Sequence, residues 1–284
     1  MGAADVIPGV SGGTIAFLTG IYEELINSIK SINLASFKLL FSGKIKEFWK
    51  AINGWFLVAV FSGVLISIFS LAKLMQYLLV NHPIAIWSFF FGLILVSIFF
   101  ILREIKGFKW TYLLSFLIGA GVGAMICLVS PSETSNSLWF IFLCGAIAIC
   151  AMILPGISGS FILLLLGKYA FMMEAVSSFN ITILLIFVVG AVIGILSFSH
   201  LLSWLLKKYY NGTLCLLTGL MAGSLIKVWP WKVMLDSGVD RPVPPSSFAG
   251  EPLVGQAVVW MVVGALLITV IELVAIRAGR KAGH

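Results

Sequence analysis

One nineteen-residue segment occurs twice in this chain and restricts the fold more than any other feature. Residues 4–22 read ADVIPGVSGGTIAFLTGIY and residues 151–169 read AMILPGISGSFILLLLGKY, with nine of nineteen positions identical. Both copies keep PGxSG, then seven residues, then GxY. Shared proline, glycine, serine and tyrosine at fixed offsets indicate an internal duplication, because shared leucine and isoleucine would be weak support.

The similarity continues downstream at an offset of 127 instead of 147, because the first copy has a longer lysine-rich loop around residues 30–50. The aligned pairs are Gly63 with Gly190, Ile68 with Ile195, Ser70 with Ser197, Gly92 with Gly219, and Ser97 with Ser224. We therefore divide the chain into two halves of one membrane domain, residues 1–131 and 132–284. Each half has one PGxSG segment and three spanning helices.

Long apolar runs predict an all-α, polytopic membrane protein. They lie at about 55–79, 83–102, 111–129, 138–154, 157–176, 181–206, 212–229 and 254–276, with a shorter run at 6–26. Hydrophobic residues make up 61% of the chain and charged residues 10%, against about 25% charged in soluble domains. This composition excludes a secreted domain, a nucleic-acid binder and a peripheral enzyme. The four cysteines lie in apolar runs without a CxxC motif, so we expect them to be buried.

The basic residues predict the topology of the chain. Thirteen of the 18 Lys and Arg residues lie in segments 30–50, 103–109, 207–208 and 277–281, which we therefore place in the cytoplasm together with the C-terminus. Segments 130–137 and 230–253 are then external. An odd number of helices per half turns the second half upside-down, so the halves form an inverted repeat in the cytoplasmic membrane, an architecture common among transporters.

The PGxSG segments carry the predicted site. Proline and glycine break a helix, so we expect each segment to be a re-entrant hairpin or broken helix, with a half-helix that starts near Ser11 or Ser158. The first N–H groups of these half-helices, close approach at the glycines and the nearby hydroxyls predict an anion site, although two glycine-packed kinks are the alternative. The predicted substrate-binding residues are Pro8, Gly9, Ser11, Gly12, Gly13, Thr14, Pro155, Gly156, Ser158, Gly159, Ser160 and Lys168.

Further polar residues in the apolar runs are candidates because charged groups are costly in a membrane. Lys168 lies in the GxY element of the second copy, where its ammonium group can meet an anion or extend to the interface. Candidates for coupling or gating are Asp5, Glu23, Glu24, Glu174 and His200. We predict no catalytic residue, metal site or cofactor. The GxxxG pairs, such as Gly190 with Gly194 and Gly219 with Gly223, are interpreted as helix packing.

The segment GAADVIPGVSGGTIAFLTGIYEELI, together with ILPGISGSFILLLLGKY, resembles a family of bacterial and archaeal membrane proteins assigned as polyprenyl-phosphate transporters. The resemblance covers essentially the whole chain. It implies transport of undecaprenyl phosphate, the lipid carrier of cell-wall synthesis, back to the cytoplasmic leaflet. Only seven residues precede Pro8, whereas a full apolar run precedes Pro155, so we expect that the leading arm of the first hairpin is truncated.

Two other functions remain open at this point. A transporter or channel for a small inorganic anion has the same composition, and only the resemblance favours a lipid carrier over it. An undecaprenyl-pyrophosphate phosphatase has PGxSRS, but this chain has Gly where that motif has Arg, and no Glu or Gln is followed four residues later by Glu. The coupling ion, the preferred tail length and homo-oligomer formation are open as well.

Overall fold

The protein is an all-α membrane protein in the computed structural model, which describes residues 1, 12–105, 107, 109–128, 134–234 and 240–282. The helices are α1 Gly12–Leu18, α2 Tyr22–Lys30, α3 Leu34–Phe41, α4 Ile45–Ala51, α5 Gly54–Asn81, α6 Pro83–Glu104, α7 Trp110–Leu128, α8 Leu138–Ile153, α9 Gly159–Leu165, α10 Tyr169–Ser177, α11 Ile181–Lys208, α12 Tyr210–Val228 and α13 Val254–Ala282. A short hairpin pairs β1 Lys232–Met234 with β2 Asp240–Pro242, and a 3₁₀ turn follows at Pro245–Ser247.

Five helices in the described ranges are long and apolar enough to cross a membrane, or seven spans if each of two bent pairs counts as one. One bent pair joins α4 to the first part of α5 at 66°, and the other joins α9 to α10 at 113°. The long helices expose large aliphatic side chains, such as Leu185 and Val192 on α11, at 58% and 49%. Such an apolar surface is stable only against lipid, so the class predicted from the sequence is confirmed.

Helix bounds repeat at the two offsets found in the sequence. α1 and α9 have seven residues each, α2 and α10 have nine, and the members of both pairs start 147 residues apart. α5 and α11 have 28 residues each and start 127 residues apart. The residues that follow them, His82 and Tyr209, have nearly the same backbone angles, with φ of −135° and −131° and ψ of 49°. The helices therefore repeat as aligned, and the inversion of the halves stays a prediction.

The turns after α1 and α9 show the same duplication in detail. Gly20 and Gly167 have φ of +73° and +63°, a left-handed conformation that glycine adopts without strain. The amide after each glycine donates to the carbonyl five residues earlier, Ile21 to Ala16 and Lys168 to Leu163. This hydrogen bond is typical of the Schellman motif that ends a helix. The GxY elements thus end both half-helices in the same way.

The chain folds into two compact units, and each unit takes residues from both sequence halves. The first contains residues 1–72 and 131–213. In it α8 packs along α11, and α2 also packs on α11. Gly145 and Gly190 lie directly against the backbone of the opposite helix, at Phe187 and Phe142. The two sequence halves describe the duplication and differ from these compact units, so the division of the chain into halves stays a prediction.

The second unit contains residues 73–130 and 214–284. α6 packs along α13 in it, and α7 packs against α12 through Gly119 and Gly219, each of which touches the opposite backbone. This packing confirms that the glycine pairs bring helices together. The β-hairpin segment adds Trp231 to a small core with Ile84 and Ala257, an element that the sequence pattern did not predict.

Candidate functional site

The first PGxSG copy is described from Gly12 onward. Asp5, Pro8, Gly9 and Ser11, all predicted as functional residues, lie outside the described residues. The second copy, at residues 155–159, is described throughout.

The two motif copies meet at a buried hydrogen bond. The backbone N–H of Gly156 donates to the Thr14 hydroxyl oxygen at 2.8 Å, although 142 residues separate them in the chain. Thr14 is fully buried, and Pro155 and Gly156 are buried as well. Gly13 lies directly against the Ile153 carbonyl at the end of α8. The structure therefore brings the start of the first half-helix to the break in the second copy, both inside the first unit.

The second motif forms the tip of a hairpin between α8 and α9. Gly156 has φ of +87°, and the Ile157 amide donates to the Leu154 carbonyl at 3.4 Å, so the chain turns within residues 154–157. α9 then packs back on α8, and a Cβ at Gly159 would lie 2.6 Å from the Ala148 carbonyl oxygen. Gly159 is thus required for the close approach of two helices, whereas the sequence pattern predicts that it admits a ligand.

Lys168 lies at the open end of this hairpin. Its Nζ donates at 2.6 Å to both the Thr134 carbonyl and the Asn136 side-chain oxygen, in the segment that precedes α8. The Thr134 hydroxyl in turn donates to the Leu166 carbonyl at the end of α9. Lys168 is 3% exposed, so water cannot replace these partners. Its ammonium group therefore closes the hairpin at the end opposite Pro155.

Two hydroxyls lie just after the break in the second copy. The Ser158 and Ser160 side-chain oxygens are 2.8 Å apart and share a hydrogen bond. Ser158 is 8% exposed, whereas Ser160 is exposed. Each hydroxyl has one proton and can also accept, so the pair leaves one donor for another acceptor. Such a pair can bind an oxyanion next to the hydrogen bond between Thr14 and Gly156.

The residues proposed for coupling or gating lie on other elements. Glu24 on α2 accepts from the Asn53 side-chain amide at 2.8 Å, and Glu23 beside it is exposed. Glu174 is exposed on α10. His200 is exposed on α11, where its Nδ1 donates to the Leu196 carbonyl one turn earlier, at 2.8 Å. The partners of Glu24 and His200 are thus Asn53 and Leu196, not Thr14 or Gly156.

Sequence reasoning missed a polar interaction that fixes α2 on α11. The buried Ser203 hydroxyl donates to the Asn27 side-chain oxygen at 2.9 Å and accepts from Lys30 Nζ at 3.1 Å. Two features of the sequence could have indicated this interaction: Ser203 in an apolar helix, and the amphipathic segment that follows the first GxY element. Ser203 follows the first residue of α11, Ile181, by about 33 Å of helical rise. α2 is therefore bound near the C-terminal end of α11.

Comparison with known proteins gives consistent matches over most of the chain. The model of an undecaprenyl phosphate translocase-like family matches residues 1–242. The polyprenyl-phosphate transporter of Vibrio cholerae serotype O1 is 50% identical over 282 residues, 96% of this chain and 92% of that protein. The polyprenyl-phosphate transporter of Staphylococcus aureus is 35% identical over 249 residues, 81% of this chain and 83% of that protein. No solved structure matches the chain.

Proposed function

Since the chain belongs to the undecaprenyl phosphate translocase-like family, we propose that it carries polyprenyl phosphate, and undecaprenyl phosphate in particular, across the cytoplasmic membrane. Its relatives of 50% and 35% identity are both named polyprenyl-phosphate transporters. The protein is accordingly a transporter and not an enzyme. In this role it returns the lipid carrier of cell-wall synthesis to the leaflet where it is loaded again.

The observation that carries the mechanism is the hydrogen bond between Thr14 and Gly156. Irregular backbone at membrane depth is stable only where protein or a wet cavity surrounds it. Here the break in one motif copy is satisfied by a side chain of the other copy. A broken helix whose break meets the other copy of the repeat in this way is the type of centre at which secondary transporters bind their substrates.

The arrangement around α11 supports entry of the two hairpins from opposite faces. The first GxY element leads into α2, which Lys30 and Asn27 hold at Ser203 near the C-terminal end of α11. The second GxY element leads into α10, which residues 178–180 connect to the N-terminal end of α11. α2 and α10 are equivalent in the repeat, yet they lie at opposite ends of one spanning helix. This placement is the one that an inverted repeat requires.

We assign phosphate binding to the hydroxyls beside the hairpin tip. Ser158 and Ser160 can rotate to donate to phosphate oxygens, and the burial of Ser158 strengthens its hydrogen bond. α1 and α9 are only seven residues long, so hydroxyl donors matter more than helix dipoles in this assignment. Lys168 positions the hairpin from its far end. The first copy completes the proposed site with Pro8, Gly9, Ser11, Gly12 and Gly13.

The proposed orientation follows the positive charges. The lysine-rich loop 30–50, the loop 103–109 and the C-terminus lie in the cytoplasm, and residues 230–253 lie outside. α2 is then on the cytoplasmic side and Lys168 on the external side. An inward movement of the phosphate therefore passes from the α10 end towards the α2 end of α11.

The test is leaflet-resolved transport of labelled polyprenyl phosphate by purified protein in proteoliposomes. Loss of hydrogen bonds to a charged group costs about 1.5–3 kcal/mol, so Ser158→Ala/Ser160→Ala should lower the apparent affinity roughly ten- to hundredfold. The matched control is Ser70→Ala/Ser115→Ala, because both of these hydroxyls donate to carbonyls of their own helices. If both double variants lowered the apparent affinity equally, Ser158 and Ser160 would not belong to the binding site. Equal competition by inorganic phosphate would identify a small-anion transporter instead.

A further inference from the structure

The first half of the chain contains an insertion that has no counterpart in the second half. Residues 178–180 connect α10 to α11, whereas residues 31–53 connect the equivalent helices α2 and α5 and include α3 and α4. An inverted repeat presents equivalent surfaces to both sides of a membrane. An insertion in one half therefore adds a structure to one side only, here the side that we place in the cytoplasm.

The inserted helix α4 meets α5 at a 66° bend, and a cavity of about 570 Å³ opens there. Its lining includes Ile45, Lys46, Trp49, Lys50, Asn53 and Trp55. The volume is within the range of about 300–1,000 Å³ that is typical of small-molecule sites. We call this space the α4–α5 cavity.

The bend that forms the cavity is held by specific interactions. Asn53 has φ of +52°, a left-handed conformation that asparagine tolerates better than most residues. Its side-chain amide donates to the Glu24 carboxylate at 2.8 Å and to the Ser28 hydroxyl at 3.3 Å, both on α2. The Trp49 ring lies directly against Gly54, where a Cβ would collide with it. The cavity is therefore built by the fold and does not depend on a mobile loop.

Two uncompensated positive charges line the cavity. Lys46 and Lys50 are one helical turn apart and both exposed, and neither has an ion-pair partner among the described residues. The neighbouring Glu47 pairs with Lys44 instead, at 3.2 Å. A phosphate monoester carries a charge of about −1.5 to −2 at pH 7, which two lysines match, whereas a phospholipid diester carries one charge.

The mouth of the cavity is apolar and faces outward. Ile45 is 63% exposed and Trp55 is 76% exposed. Tryptophan is common at the boundary between lipid and water, where its ring touches both. Exposed lysines beside an apolar rim fit a lipid whose head is a phosphate and whose tail remains in the bilayer. The cavity also has one unused donor, since the enclosed Trp49 indole N–H has no acceptor among the described residues.

We propose that the α4–α5 cavity binds the phosphate head of a polyprenyl monophosphate in the leaflet next to the insertion, separately from the Ser158–Ser160 site. This inference rests on the proposed function for the identity of the lipid. Lys46 and Lys50 hold the phosphate, and Ile45 and Trp55 pack against the first units of the tail. The cavity thus provides a docking position on one side of the membrane only.

The test is photo-crosslinking at the rim, with Ile45 replaced by p-benzoylphenylalanine in purified protein in zwitterionic nanodiscs. The probe is a radiolabelled polyprenyl monophosphate, and the readout is the covalently captured label. Lys46→Gln/Lys50→Gln should reduce capture at least tenfold, because each lysine provides a charged donor. The control Lys38→Gln/Lys207→Gln removes equal charge from the same proposed side and should leave capture unchanged. Lys46→Arg/Lys50→Arg keeps the charge and should retain capture.

Three outcomes would overturn the proposal. They are undiminished capture in Lys46→Gln/Lys50→Gln, equal loss in the control pair, and equal displacement of the probe by phosphatidylglycerol, which would indicate a general anionic-lipid surface. The two proposals can fail independently. If the protein does not transport the lipid, transport would be absent while crosslinking at residue 45 persisted. In transport assays the glutamine pair should raise the half-saturating lipid concentration and leave the rate at saturation unchanged. All the substituted lysines are exposed, so folding is preserved.

Discussion

Thr14→Val removes the hydrogen bond that joins the two PGxSG copies and nearly preserves the side-chain volume. The Gly156 N–H then loses its acceptor, and water cannot replace it because Thr14 is fully buried. An unsatisfied buried donor costs about 1–3 kcal/mol, whereas hydrogen bonds between membrane helices contribute about 0.6 and at most about 1.7 kcal/mol. We therefore expect Thr14→Val to lower the free energy of unfolding by about 1–2 kcal/mol.

The matched control is Thr218→Val, because Thr218 is equally buried but its hydroxyl only donates to the Leu214 carbonyl of its own helix, α12. That carbonyl also accepts in the helix backbone, so the loss should be clearly smaller. The assay is equilibrium unfolding by sodium dodecyl sulfate in mixed micelles, with leaflet-resolved transport measured on the same preparations. Equal free energies of unfolding for the two variants would refute the reasoning. Normal stability with lost transport would instead place the Thr14 hydroxyl on the substrate.

Glycine packing, the buried lysine and the membrane topology can each be tested by substitution. Gly159→Ala should lower the free energy of unfolding by about 1–3 kcal/mol, because its Cβ would meet a backbone carbonyl. Gly121→Ala should raise that free energy by about 0.5–1 kcal/mol, since open space surrounds this helical glycine. The reverse order of stabilities would contradict the packing. Lys168→Met removes the hydrogen bonds to Thr134 and Asn136 and should lower the free energy of unfolding by about 1.5–3 kcal/mol. Unchanged stability with weaker lipid binding would show instead that Lys168 contacts the substrate. In intact cells, an impermeant thiol reagent should label Ser247→Cys but not Lys44→Cys, and equal labelling would contradict the inverted repeat.

Local features of the sequence are enough to predict the helices and their breaks. Pro155 and Gly156 interrupt an apolar run, and the structure has its turn at those residues. The change of offset from 147 to 127 locates the insertion, and the helix bounds repeat at the same offsets. Three of the four cysteines are buried, as their apolar surroundings predict, with Cys150 partly exposed. The break and the burial of the cysteines depend on residues within one or two helical turns, whereas the offsets come from comparing the two halves.

The roles of individual polar residues are harder to predict. The sequence pattern favours Lys168 as a cation for the ligand, but its partners Thr134 and Asn136 lie 34 and 32 residues away. The pattern also favours Gly159 as an access point for a phosphate, yet a second helix occupies the space beside it. A side chain in a motif can bind a ligand or another part of the chain equally well. The sequence pattern is the same in both cases.

The sequence by itself determined the apolar spans, the duplication and the break at Pro155 and Gly156, because backbone propensity and transfer into lipid depend on residue type and near neighbours. Only the tertiary structure decided that Thr14 meets Gly156, that Ser203 fixes α2 on α11, and that two lysines line the cavity at the α4–α5 bend. The first two interactions join residues that the alignment of the repeat does not pair. They form because packing the helices excludes lipid and water, and the buried polar groups must then find partners in whichever segment lies beside them.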